Sequence, residues 1–71
     1  MQDRMNSTLD GKQIDLISFP NGDCCRAING STLVYHYEYH GEYADAWVIS
    51  IVEGKEIVRY NAKFIESIVW L

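Results

Sequence analysis

The features this chain lacks narrow its class before any motif is considered. Its 71 residues include a single proline and no stretch near the ~20 apolar residues that a bilayer-crossing helix requires, so no membrane partner is expected. The opening Met1-Gln2-Asp3-Arg4-Met5-Asn6-Ser7-Thr8 is polar and holds no apolar core of a secretory signal, which predicts a cytoplasmic protein. The two cysteines, Cys24 and Cys25, are neighbours. On a strand they point to opposite faces, and a disulfide between adjacent residues distorts the ladder. They read as reduced thiols suited to a reducing compartment. With no second cysteine pair they do not form a zinc site.

Basic residues are also few and dispersed. Arg4, Lys12, Arg26, Lys55, Arg59 and Lys63 stand singly against ten acidic residues, for a net charge of −4. A nucleic-acid binder neutralises phosphates with clustered Lys and Arg, and no cluster exists, so nucleic acid is not an expected partner. Gly-rich phosphate loops are absent too, because the five glycines are isolated turn residues. Cys24 or Cys25 beside His36 or His40 forms no activated-nucleophile motif, and so short a chain leaves little room for a water-excluding pocket. The chain reads as non-enzymatic, with no cofactor.

A strong period-2 pattern is present instead. In Leu33-Val34-Tyr35-His36-Tyr37-Glu38-Tyr39-His40, alternation sets Leu33, Tyr35, Tyr37 and Tyr39 on one face and Val34, His36, Glu38 and His40 on the other. The following apolar run, Trp47-Val48-Ile49-Ser50-Ile51-Val52, is its expected hairpin partner and is apolar on both faces, as a central strand is. Turn signals at Asp10-Gly11, Asn21-Gly22, Asn29-Gly30, Gly41, Glu53-Gly54 and Asn61 cut the rest into short pieces. Within Lys12–Phe19 the alternation changes phase after Leu16, which predicts a bulge or burial on both sides.

Segment 62–71 has two readings. Phe64, Ile65, Ile68 and Val69 fall at helical spacing behind a potential cap at Asn61, yet most are strand formers. The expected fold is therefore all-β, allowing one short C-terminal helix. A small antiparallel meander of five to six strands closes into a barrel or sandwich, which in layout alone resembles SH3-like and Sm-like barrels. No motif underlies that likeness, so no functional residue is carried over from it. Residues 1–9 are expected to be a flexible N-terminal segment and 10–71 one small domain. So short a chain buries only about 60% of its unfolded surface, which favours self-association as a source of extra stability. Trp70 and Leu71 are expected to be held in the core or in a subunit contact, and the Asp23–Ile28 or the last strand to offer an edge for a homodimer.

The functional expectation is a non-catalytic module that binds another protein, or itself, through an aromatic and acidic surface. Tyr37, Tyr39, Tyr43 and Trp47 are the candidate anchors and Glu38, Glu42 and Asp45 the rim charges, since Tyr and Trp dominate interface energetics. A narrower alternative is a small phage- or mobile-element-type inhibitor that sets this acidic surface against the basic groove of a nucleic-acid enzyme. Another is a small-molecule or metal-binding β-barrel using His36, Glu38 and His40. An extended strand holds His36 and His40 about 13 Å apart at Cα, so the two do not easily converge on one ion, whereas His36 with Glu38 can, given further Asp or Glu ligands from elsewhere.

Overall fold

A computed structural model of the chain describes residues 6–28 and 30–71. The expectations for residues 1–5 and for the turn at Asn29 lie outside those residues. The fold is all-β: β1 (Gln13–Ser18), β2 (Cys24–Arg26), β3 (Ser31–Tyr39), β4 (Ala44–Val52), β5 (Lys55–Asn61) and β6 (Ser67–Trp70), all antiparallel to their neighbours. Short 3-10 turns at Ser7–Leu9 and Ala62–Phe64 complete it. Ahead of β1, Asn6 caps the first 3-10 turn, and Leu9 packs against the core.

The register fixes the sheet layout. Ile14 pairs with both Leu33 and Trp70, and Ile17 with both Cys25 and Ile68. A strand residue has only two edges, so β6 lies along one side of β1 while β2 and β3 follow one another along the other. The lateral order is β6, β1, β2/β3, β4, β5, curled into a half-barrel. The Pro20–Asp23 turn joins β1 to β2 as a hairpin, with the Phe19 N–H donating to Asp23 O at 2.8 Å. The segment carrying Gly30 instead links two strands in line, a role that a local turn signal does not distinguish from a hairpin.

Two bulges shape the sheet. Ile14 faces Trp70 and Leu16 faces Val69, so Asp15 is the extra residue, and this accounts for the phase change seen in the sequence. The core pair on β1 is consequently Ile14 and Ile17, three residues apart. In β5, Ser50 faces Val58 and Ile51 faces Glu56, which makes Ile57 the extra residue. The second bulge brings Glu56 and Arg59 to one face, where the guanidinium donates twice to the carboxylate, at 2.7 and 2.8 Å.

Inside the half-barrel, Ile14, Ile17, Leu33, Tyr35, Ala46, Val48, Ala62 and Ile65 form the core. Ala62 and Ile65 come from the region that the sequence left between strand and helix, and both readings apply in turn. Asn61 Oδ1 accepts from the Lys63 N–H at 3.0 Å and caps one 3-10 turn, after which the chain extends into β6. Phe19 and Tyr60 meet with ring centroids 5.5 Å apart, bridging the ends of β1 and β5. β4 is central between β3 and β5, as its two apolar faces require. Its outer-face residues Trp47, Ile49 and Ile51 lie beside Val34 and are half-buried.

Candidate functional site

The tyrosine stripe of β3 is graded along its length. Tyr35 is fully buried, Tyr37 packs partly against the core, and Tyr39 is 71% exposed. One alternating pattern therefore supplies a core residue at one end of the strand and a surface aromatic at the other. Burial pushes the Tyr35 phenol above its ordinary value, with the Asn6 N–H donating to its oxygen at 3.2 Å as the lesser, opposing influence.

At the exposed end, residues 40–43 connect β3 to β4. The His40 N–H donates to Tyr43 O at 2.8 Å, and Gly41 takes φ 92°, a conformation open to glycine at no steric cost. Tyr39 donates its hydroxyl to Gly41 O at 2.8 Å, so its ring lies over the turn. The His40 and Tyr43 rings stack at 4.7 Å, and Tyr43 is 61% exposed. The loop thus presents two tyrosines that are oriented by its own backbone and by each other.

Carboxylates surround this end. Glu38 and Asp45 face each other across β3 and β4, with Glu42 in the loop. Asp10, not singled out by the sequence reading, joins them by a backbone role. Its Oδ1 accepts the Tyr37 N–H at 2.9 Å, where β3 has run past the end of β1 and that edge lacks a strand partner. The only clue in the sequence was its Asp-Gly turn signal.

A chain of contacts alternates acid and imidazole. His36 Nδ1 lies 3.4 Å from Asp10 and its Nε2 3.1 Å from Glu38; His40 Nε2 lies 3.6 Å from Glu38 and 3.4 Å from Asp45. Among the described residues, Asp10, Glu38 and Asp45 find no Lys or Arg partner within ion-pair distance. Among the described residues, their ion-pair contacts are thus with imidazoles alone. No group of three His, Cys, Asp or Glu side chains among the described residues is arranged to hold a metal ion, His36, Glu38 and His40 included.

The remaining candidates lie elsewhere. Trp47 sits on the outer face opposite His36, half-buried beneath the Arg59 guanidinium, which is 5.3 Å from its ring centroid. Its indole N–H is buried and has no hydrogen-bond partner among the described residues. Arg59 is held there by Glu56, whose carboxyl is kept below its usual range by that hydrogen bond. The structure thus gathers Tyr39, Tyr43, Glu38, Glu42 and Asp45 at one end of the hairpin. It places Tyr37 against the core and Trp47 under an arginine. Cys24 and Cys25 are both free thiols, Cys24 exposed and Cys25 3.8 Å from the Tyr60 hydroxyl.

No family model, curated protein or solved structure matches this chain. No helix among the described residues is long and apolar enough to cross a membrane.

Proposed function

We propose that the protein is a non-catalytic binding module whose β3–β4 hairpin end docks on a basic surface of another protein. The observation that carries this reading is the pairing of Tyr39 and Tyr43, 71% and 61% exposed, with carboxylates that have no Lys or Arg within ion-pair distance among the described residues. Exposed tyrosines on a rigid hairpin supply contact area at low entropic cost. The carboxylates of Glu38, Glu42 and Asp45 select a partner rich in Lys or Arg and steer its approach.

The test is selection of peptides from a random display library against the whole chain. The Tyr39→Ser/Tyr43→Ser variant serves as the counter-target. The expected ligands are Lys- or Arg-containing, bind the wild type only, and weaken as salt rises. Ligands that bind both proteins equally, or that tolerate high salt, overturn the assignment.

A further inference from the structure

The curled sheet ends in two edges that differ in their chemistry. β5 starts at Lys55, carries the Glu56–Arg59 ion pair and is interrupted by the bulge at Ile57. Charge and bulging are the means by which natural edge strands resist the addition of another strand. β6 has neither. Its Ser67-Ile68-Val69-Trp70 contains no charged residue, no proline and no extra residue of its own, since the bulge in its pairing falls on β1.

β6 pairs with β1 along one edge, and its other edge meets no strand among the described residues. The side chains there are apolar and accessible: Val69 is 48% and Trp70 37% exposed. An open, uncharged edge of this kind is a template for an added strand, with main-chain groups providing hydrogen bonds and side chains the selectivity.

We propose that this edge is a self-association surface on which β6 of a second copy pairs antiparallel about a two-fold axis at Val69. Charge selects the occupant. A strand bearing Lys, Arg, Asp or Glu would set that charge against Ile68, Val69 or Trp70, with no counter-charge within β6. Pairing about Val69 instead sets Ile68 of one copy opposite Trp70 of the other, and Val69 opposite its own equivalent. No like charges meet, and the contact is isologous, as a two-fold dimer requires. A seam of four residues lies below the area of a standard stable interface, so the dimer is weak and depends on concentration.

Sedimentation equilibrium of the full chain from about 10 µM to about 1 mM tests this, because weak dimers populate in that range. The wild type is expected to shift from monomer to dimer. Val69→Lys, which adds a charge on the outer face, is expected to stay monomeric with an unchanged circular dichroism spectrum. Ile57→Lys on the β5 edge is expected to behave as wild type. Amide exchange on the wild type at both concentrations reads the same seam without a variant: β6 amides should gain protection in the concentrated sample. Salt should strengthen this dimer by screening repulsion between two acidic copies, the opposite of its effect on binding at the hairpin end. A wild type that is monomeric throughout, a Val69→Lys protein that dimerises equally, or β6 exchange that is insensitive to concentration overturns the proposal. Each of these outcomes leaves the hairpin-end reading to its own test.

Discussion

Individual residues here are decided by whether the backbone or the solvent sets their environment. Glu53 is the one described non-glycine residue with positive φ, at 53°, in the two-residue turn it shares with Gly54. Such turns favour Asn at that position, because its side chain tolerates the left-handed region. Glu53→Asn should therefore raise unfolding stability in urea titrations, by up to about 1 kcal/mol, the lower end of the cost of the left-handed region. Tyr35 behaves oppositely, as a residue the core holds in one protonation state. Its phenol is pushed up by burial, and that of Tyr60 by its contact with Cys25, so both are held neutral in the fold. The resulting stabilisation is complete below the unfolded tyrosine value of about 10 and declines as pH rises past it. Melting temperatures measured from pH 8 to 11 should fall across that window. The fall should be shallower in Tyr35→Phe and shallower still in Tyr35→Phe/Tyr60→Phe.

At the scale of elements, strands and turns were legible in the sequence wherever side chains alone determined them. The alternation of Leu33 to His40 named β3 and its hairpin partner, and the phase change after Leu16 announced the bulge at Asp15. The in-line placement of β2 and β3 on one edge of β1 was not legible, because it depends on the distant pairing of Gln13 with Val34 and of Ile14 with Leu33, which no local turn signal encodes. For the same reason the stripe could not be divided into core and surface. Tyr35, Tyr37 and Tyr39 are identical in type and phase, and only the end of β1 and the position of Trp70, 5.6 Å from the Tyr35 ring, separate them.

Asp10 is the sharper case at this scale, since its role is to supply an acceptor where a strand is missing. Asp10→Ala leaves the Tyr37 N–H without its 2.9 Å partner and should cost about 1 kcal/mol. Asp10→Asn keeps an oxygen in place and should recover most of that loss. Urea midpoints of the two variants, compared with wild type, separate the hydrogen bond from the charge.

For the molecule as a whole, the order of assembly follows from how far apart in sequence the pairing strands lie. β3 and β4 close over a four-residue loop, whereas Ser18 reaches Ser67 across 49 positions to join β1 to β6. Closing a long loop before its contacts form is entropically unfavourable, so the local hairpin is expected to form first and the β1–β6 seam last. Val48, fully buried on β4, and Ile68, packed against the core from β6, then report on different stages. Val48→Ala should destabilise by about 1–3 kcal/mol and act mainly by slowing folding. Ile68→Ala should leave the folding rate nearly unchanged and speed unfolding. Stopped-flow chevrons of the two variants decide the matter, and a larger folding-rate effect at Ile68 than at Val48 would reverse the order. With the seam closing last, β6 stays open until the final step of folding. The edge with no charge to protect it is thus the last to gain its partner within the chain, which makes it the point where a second copy can compete.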